Sequence, residues 1–248
     1  MQNIEFEKDI GVTTDSKLSF ERHLNERINK ANSMFSLIRR TFINLDEKNF
    51  KFLYKSMVRS HLEYASSVWS PYKTKYIDII ENVQKRATKQ IPTLKELNYE
   101  ERLKKLKLPT LVYRRIRGDM IETYKILNNI YDNAASNFLK CRNRLEQNYT
   151  LRGHHQQLVH QRTNKQIRQH TFSIRITNIW NNLPCHVVEA PTLNTFKNRL
   201  DQHWKHQEIL YNHKAALDLG TTNPSTSRHQ TLELDTVAAG AASVQKKS

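Results

Sequence analysis

The sequence is poor in the residues from which many enzyme sites are built. Its 248 residues include five glycines and two cysteines, Cys141 and Cys185. So few glycines leave little room for a loop that cradles phosphates, and the two cysteines fit no spacing of a zinc or redox site. A nucleophile motif and a zinc knuckle are also missing from the sequence. We therefore expect a protein of a reducing compartment that does not use these chemistries.

Long apolar runs are absent as well. No stretch approaches the roughly 18 to 20 apolar residues that a membrane-spanning helix needs, and the N-terminus lacks the pattern of a secretory signal. The apolar share of 38% is on the low side for a globular protein. The chain is nevertheless long enough to bury a sizeable core, in one large domain or two small ones. We expect no membrane association and a location in the nucleus and cytoplasm.

Positive charge is what the sequence has in excess. The formal net charge is +16, and it is placed unevenly. Residues 1–15 carry four acids against one lysine, and residues 201–248 carry five charges of each sign, so the excess lies in the middle of the chain. Such a protein commonly binds a polyanion, because neutralising phosphates releases counterions. Nucleic acid is the leading candidate, and the alternative is that Lys and Arg only solvate helix faces.

Residues 50–89 predict two helices joined by a short link. Apolar residues recur there at three- and four-residue steps, as they do along one face of a helix. The first stripe is Phe50, Tyr54, Met57, His61, Ala65 and Val68, and the second is Tyr76, Ile80, Val83 and Ala87. Pro71 separates the stripes and interrupts the helix, so the two helices should fold against each other as a hairpin. The exposed side of the second helix then carries Lys85, Arg86 and Lys89.

Helical spacing also appears before and after this pair. A first helix is predicted from Phe20 to Arg40, where two arginines suit a helix C-terminus. The predicted N-caps are Asp46, Asn98 and Thr192, and Pro109-Thr110 is expected to restart the chain into a longer helix. The later stripes are Tyr99, Leu103 and Leu106; Val112, Ile116, Met120, Tyr124, Leu127 and Tyr131; Phe172, Ile176, Ile179 and Trp180; and Leu193, Phe196, Leu200 and Trp204.

The N-terminal residues 4–12 alternate between apolar and acidic side chains, which predicts a short half-buried strand. A lone strand is unstable, so its partner lies elsewhere in the chain or is missing from it. Gly11 would let another backbone approach closely, either that of a nucleic acid or that of a neighbouring strand. The alternative is an ordinary glycine at a strand end.

The residues that carry these patterns also resemble a known family. The matching residues are Ile10-Gly11-Val12, Asp15, Leu18, Phe20 and His23; Arg59, His61-Leu62-Glu63-Tyr64-Ala65, Val68-Trp69-Ser70-Pro71, Glu81, Gln84 and Arg86-Ala87-Thr88; Leu97, Tyr99, Arg102-Leu103, Leu106, Leu108, Arg114-Arg115, Arg117-Gly118-Asp119-Met120 and Tyr124-Lys125; and Phe172-Ser173, Arg175, Asn178, Trp180-Asn181, Leu183-Pro184, Val187-Val188, Ala190, Phe196-Lys197, Leu200-Asp201 and Trp204. The pattern resembles the region after the catalytic palm in reverse transcriptases of non-LTR retrotransposons of the jockey and chicken-repeat type. It covers residues 5–206, with Ile10 standing where family members more often have Leu or Tyr.

The resemblance implies a division of the chain. It makes 1–15 the end of the palm with its primer-grip strand, 16–132 a helical thumb-like domain and 171–208 a C-terminal helical unit. Composition makes 133–170 a basic loop and 209–248 a disordered tail, and the tail matches nothing in the family pattern. We accordingly expect a mainly α fold. It would be a bundle of about six to eight helices with a short N-terminal β-strand and a disordered C-terminal tail.

A polymerase thumb positions template and primer through backbone contacts, which give affinity and register but no sequence reading. The implied partners are RNA, DNA or an RNA–DNA hybrid, together with palm and fingers regions outside this chain. The candidate nucleic-acid-binding residues are Gly11, Lys85, Arg86, Lys89, Arg114, Arg117, Arg152, Arg162, Arg168 and Arg175. Arg114 and Arg117 would meet phosphates together; the alternative is a helix held by internal pairs such as Arg115 with Asp119.

Two groups of side chains have competing interpretations. Trp180 and Trp204 would serve as base-stacking platforms or as core anchors, and their place on apolar stripes favours the core. Histidines are interspersed in the basic loop, at positions 154, 155, 160 and 170. No carboxylate or cysteine stands beside them at ligand spacing, so a solvated loop is favoured over a metal site.

The catalytic residues of the family have no counterpart in this sequence. Polymerisation uses Mg²⁺ ions held by palm carboxylates, including a Tyr-x-Asp-Asp turn, and the nearest look-alike, Tyr131-Asp132-Asn133, lacks the second acid. We expect no catalytic residue, metal ligand or cofactor here, the Mg²⁺ belonging to the missing palm. The predicted function is that of a non-catalytic fragment that binds template and primer. The alternative is a decayed or domesticated helical interaction protein without nucleic-acid function.

The missing carboxylates predict the outcome of a primer-extension assay. The chain alone, with Mg²⁺, deoxynucleotides and a primed RNA template, is expected to give no extension, because nothing in it would hold the two metal ions. Gel analysis of the labelled primer measures this. Robust extension would contradict the account of the missing acids.

Overall fold

The computed structural model describes residues 5–43, 45–131, 138–142 and 153–220. In these ranges the chain is mainly helical with one short two-stranded sheet, which confirms the expected fold class. The elements are β1 Phe6–Asp9, β2 Val12–Asp15, α1 Glu21–Thr41, α2 Glu47–Leu53, a π-helix Tyr54–Arg59, α3 Ser60–Glu63, α4 Ser66–Trp69, α5 Thr74–Thr88, a 3₁₀ turn Pro92–Leu94, α6 Tyr99–Leu106, α7 Leu111–Leu127, α8 Gln166–Gln169, α9 Phe172–Asn181, α10 Cys185–Val188, α11 Leu193–His203 and a 3₁₀ turn Glu208–Leu210. No helix in the described ranges is both long and apolar enough to cross a membrane.

The N-terminal strand differs from its prediction, because the stretch expected to be one strand turns back on itself. β1 and β2 pair antiparallel, from Phe6 opposite Asp15 to Asp9 opposite Val12. Ile10 and Gly11 form the two-residue loop, both with positive φ (42° and 79°), as tight hairpin turns require. The missing partner strand is therefore the next segment of this chain. β2, not β1, carries the buried positions.

The helices were predicted well at their ends. α1 ends at Thr41, one residue beyond Arg40. The side chains of Asp46, Asn98 and Thr192 each accept a hydrogen bond from the backbone N–H three residues on, so the three predicted N-caps are confirmed. Thr110 caps α7 in the same way. Asn98 and Glu101 complete a reciprocal capping box.

A π-helical turn changes which residues face the core between positions 54 and 69. The prediction placed Met57 and Val68 on the buried stripe, but Val58 is fully buried and Val68 is 57% exposed. The π-helix Tyr54–Arg59 inserts an extra residue per turn. A break at Ala65, which adopts a left-handed conformation, shifts the phase again before Trp69 enters the core.

Two apolar clusters make up the core. The first gathers buried side chains from β2 through the start of α7, and α1 lies against both the π-helix and α5. The second joins α7 with α9 and α11, and its large members include Trp180, Phe196 and Trp204. Both tryptophans are at most 2% exposed, so the structure places them in the core rather than on a stacking surface. The boundary between the clusters falls near the start of α7.

Parts of the chain expected to be loop or tail pack onto the second cluster. Leu139, His154 and Leu158 are buried, and Cys141 pairs with Leu158 in an isolated β-bridge. Residues 138–142 and the start of the segment from residue 153 thus have no regular helix, as a loop would, but they are packed against the core. The predicted tail begins too early, since Ile209 is 2% exposed and its carbonyl accepts a hydrogen bond from Thr110. The rest of that prediction, residues 221–248, lies outside the described residues.

A buried polar network surrounds α5. The Gln84 amide accepts a hydrogen bond from the Tyr54 hydroxyl (2.8 Å) and donates one to the Tyr99 oxygen (3.1 Å). The Glu81 carboxylate accepts from the Tyr99 hydroxyl (2.6 Å) and from the Leu111 backbone N–H (3.0 Å). Burial raises the pKa of Glu81. These bonds tie α5 to the π-helix, to α6 and to the start of α7.

His23 fastens the β-hairpin to α1. Its ring is fully buried near Trp69, and its Nδ1 accepts a hydrogen bond from the Thr13 backbone N–H (3.2 Å). Its Nε2 is buried with no hydrogen-bond partner among the described residues. Burial, and next the nearby Arg27, lower the pKa of His23 to about 4. The folded protein therefore holds this histidine neutral.

The depressed pKa of His23 predicts a loss of stability in acid. Between about pH 6.5, where a free histidine titrates, and about 4, the unfolded chain binds a proton that the folded chain does not, so the free energy of unfolding falls as the pH is lowered. His23→Gln keeps an acceptor but does not titrate. Urea unfolding should show wild type losing roughly 2 kcal/mol more than this variant between about pH 7.5 and 4.5. Equal losses of unfolding free energy in wild type and in His23→Gln would contradict the low pKa assigned to His23.

Candidate nucleic-acid interface

A basic groove lies between the C-terminal halves of α1 and α5. Its volume is about 320 Å³, and we call it the α1/α5 groove. It is lined by Asn32, Phe35, Ser36, Arg39, Arg86, Lys89 and Gln90. The two helices share the first core, where Ala31 and Ala87 are fully buried. Three of the seven lining residues are cations and none is an acid, so the groove offers concentrated positive charge.

Local sequence explains why cations collect there. Arg39 and Arg40 lie in the last turn of α1, and Lys85 and Arg86 in the last turn of α5, where the helix dipole favours positive charge. Arg86 donates a hydrogen bond from Nη2 to Asn32 Oδ1 (2.9 Å), which ties its guanidinium to α1. The side chains of Arg39, Arg86 and Lys89 are exposed. They are therefore accessible to a ligand that lies along the groove.

The prediction found only part of this groove. Lys85, Arg86 and Lys89 are exposed on α5 as expected, and Arg86 and Lys89 line the groove. Arg39 was explained by the end of its own helix alone. That Arg39 lines the same groove as Arg86 was missed, because the two residues lie far apart in sequence. Only the packing of α1 on α5 places them along one groove.

Three predicted phosphate contacts are instead engaged within the protein. Arg114 forms a bidentate pair with Glu63 on α3. Arg117 does the same with Asp201 on α11, at 2.5 and 2.7 Å. Each guanidinium offers its paired donors to a carboxylate of another element, which is the geometry that Arg favours in structural ion pairs. These two residues join parts of the fold rather than present free charge.

Arg175 makes the most hydrogen bonds of these three arginines. It donates two hydrogen bonds to the Asp119 carboxylate (2.9 and 3.0 Å) and others to the carbonyls of His170 and Ser67. Asp119 is 5% exposed. Among the described residues no hydrogen bond joins Arg115 to Asp119, the alternative intrahelical pair, although the Asp119 carboxylate lies near enough to oppose the lowering of the Arg115 pKa.

Gly11 is held against helices of this chain. Its φ of 79° is a left-handed conformation that favours glycine. Its carbonyl accepts a hydrogen bond from Arg27 Nη2 (3.2 Å), and the adjacent Ile10 carbonyl accepts one from the Tyr64 hydroxyl (2.7 Å). Ile10 itself is 81% exposed. The close approach expected at Gly11 is thus made by side chains of α1 and of the segment after α3.

The remaining predicted residues lie apart from the groove. Arg162 and Arg168 are exposed, Arg168 being on α8, and neither lines the α1/α5 groove. Arg152 lies outside the described residues. In the described ranges no three His, Cys, Asp or Glu side chains come together as a metal site. The structure therefore brings together Arg39, Arg86 and Lys89, with Lys85 on the same helix end.

Comparison with known proteins gives no further identification, because neither the family models, the curated proteins nor the solved structures contain a match to this chain.

The burial of Asp119 predicts a large effect of replacing its partner. Arg175→Met leaves an almost buried carboxylate without its ion pair, which costs about 3 kcal/mol or more. Urea denaturation of the folded protein measures the loss. Arg168→Met is the matched control, because this exposed side chain makes no hydrogen bond with the described residues, and it should change stability by about 0.5 kcal/mol or less. Equal effects of the two changes would contradict the structural role of Arg175.

Proposed function

We propose that the chain binds the sugar-phosphate backbone of RNA, DNA or an RNA–DNA hybrid along the α1/α5 groove, without reading sequence. The single observation that carries this proposal is the convergence of Arg39, Arg86 and Lys89 from two helices on an acid-free groove. Each exposed cation that meets a phosphate releases a counterion and adds affinity at low salt. The charged side chains of the groove are all cations, so contacts to phosphates should dominate.

The same proposal extends to the origin of the chain. We propose that it is a non-catalytic fragment of a retrotransposon reverse transcriptase, in which the helices grip template and primer. The Mg²⁺ ions of polymerisation would then be held by palm residues outside this chain. Its partners would be nucleic acid together with the missing palm and fingers regions, in the nucleus or cytoplasm. The support is the residue pattern described above and the mainly helical fold that this pattern implied.

A second candidate is a helical interaction protein without nucleic-acid function. An apolar groove of about 520 Å³ supports it. The exposed members of its lining are Leu18 (48%), Val68 (57%), Phe138 (57%) and Ile167 (43%). Contiguous exposed apolar surface of this kind marks docking sites for other proteins. Such a surface would remain where a neighbouring domain once packed.

Replacing the groove cations tests the first proposal. Arg86→Ala combined with Lys89→Ala removes two phosphate contacts, so affinity for a hybrid duplex of about 20 base pairs should fall about tenfold or more at low salt. The slope of log affinity against log salt should become shallower by roughly 1 to 2. Fluorescence anisotropy across a salt series measures both quantities.

The matched control removes equal charge elsewhere. Lys205 and Lys214 are exposed near the C-terminal end of the described chain, and their double alanine variant should leave the affinity within about twofold of wild type. Equal losses in the two double variants would mean that net charge, not the groove, determines binding. A folded wild type that fails to bind the duplex at low salt would favour the interaction protein.

A further inference from the structure

A third cavity lies between α7 and the segment around α4. It has a volume of about 350 Å³, and we call it the Arg115 cavity. It is lined by Glu63, Ala65, Ser66, Ser67, Arg114, Arg115, Gly118 and Glu122. Apart from its chain neighbours and the backbone of its own helix, no heavy atom lies within 4 Å of the position where a Cβ would stand on Gly118. The absence of a side chain at Gly118 therefore leaves open space within the lining.

Arg115 is placed there with incomplete hydrogen bonding. The residue is 4% exposed, and its Nη1 is buried with no hydrogen-bond partner among the described residues. Burial lowers the pKa of Arg115 to about 10, while the nearby carboxylates of Glu81, Asp119 and Glu63 oppose that shift. A buried guanidinium that keeps its charge requires an anionic partner or full hydrogen bonding. Those carboxylates lie near Arg115, but no described side chain forms a hydrogen bond with Nη1.

The neighbouring acids are already committed to other groups. Arg114 takes both oxygens of Glu63, and Arg175 takes both oxygens of Asp119. Glu81 accepts from a hydroxyl and a backbone N–H.

Two other charged groups adjoin the cavity. Glu122, which also lines it, is bonded to Lys125 (2.8 Å) and to the Tyr131 hydroxyl (2.5 Å). Arg59 adds a further positive charge, lying 3.5 Å from Glu63.

We propose that the Arg115 cavity binds an oxyanion of the phosphate class, with Arg115 as the charged donor and the hydroxyls of Ser66 and Ser67 as further donors. Arg binds phosphate oxygens strongly because its donors are charged and fixed in one plane. The cavity volume accommodates a phosphate together with waters or with an attached sugar. Free phosphate and the terminal phosphate of a nucleic-acid strand share this chemistry. The site uses none of the residues of the α1/α5 groove.

Thermal unfolding of the full chain in potassium phosphate and in potassium chloride at equal ionic strength tests the site. The melting temperature of wild type should rise with phosphate concentration and saturate, because a ligand that binds only the folded state stabilises it by mass action. Arg115→Met fills similar volume without charge, and its phosphate affinity should be at least tenfold weaker. Gly118→Leu fills the open space and keeps the Arg115 side chain, and it should also weaken the phosphate response. This variant provides the test if Arg115→Met does not fold.

The variants of the two sites separate the two proposals. Arg86→Ala with Lys89→Ala should lose duplex binding but keep the full phosphate response. Arg115→Met should lose the phosphate response but keep duplex binding. A wild type that responds equally to phosphate and chloride, or variants at positions 115 and 118 that respond like wild type, would overturn the site and leave a cavity filled by water.

Competition by oligonucleotides identifies the source of the phosphate. Oligonucleotides of one sequence, with either a 5′-phosphate or a 5′-hydroxyl, are added to the phosphate-saturated groove variant Arg86→Ala with Lys89→Ala. Preferential displacement by the phosphorylated strand assigns a nucleic-acid terminus as ligand. Equal, weak displacement by both strands, with the inorganic response intact, assigns free phosphate. Absence of any saturable phosphate response in this variant and in wild type would overturn the proposal.

Discussion

The hydrogen bonds of the buried side chains Gln84 and Glu81 determine how the helices of the first core cluster pack together. Both side chains are at most 1% exposed, and they bind Tyr54, Tyr99 and the Leu111 backbone. A buried amide or carboxylate that loses its partner costs more free energy than an ordinary hydrogen bond contributes. An alternative packing of α5 would orphan several such groups at once. The network therefore specifies one rotation and one height of α5, which apolar contacts alone would specify less sharply.

The α1/α5 groove follows from that constraint. With Gln84 facing inward, Arg86 and Lys89 lie on the opposite, solvent side of α5, and Arg86 reaches Asn32 on α1. The groove thus has cations from two helix ends in one fixed arrangement. The other arginines of the chain serve a different purpose, because pairs such as Arg175 with Asp119 connect α7 to α9. The high net charge therefore divides into cations that hold the fold and cations that remain open to a ligand.

Sequence patterns predicted the parts of the structure that depend on local spacing. The caps at Asp46 and Thr192 and the buried stripe of α5 are properties of neighbouring residues, so periodicity and capping rules were sufficient. The phase of the helix after Phe50 was missed, because a π-helical turn has no reliable local signature and is fixed by packing. The candidate site was only partly predicted, because its contacts join residues that lie far apart in the sequence. Nothing local to Arg175 signals Asp119, which lies 56 residues earlier.

The account depends on one surface, where α1 and α5 end together, being the one that contacts nucleic acid. Lysine labelling with an amine-reactive reagent, followed by mass spectrometry, examines this surface directly in the presence and absence of a hybrid duplex at low salt. The account predicts that Lys85 and Lys89 are protected by the duplex, while Lys165, Lys205 and Lys214 keep their labelling. Protection spread evenly over all five lysines, or confined to the last three, would contradict it.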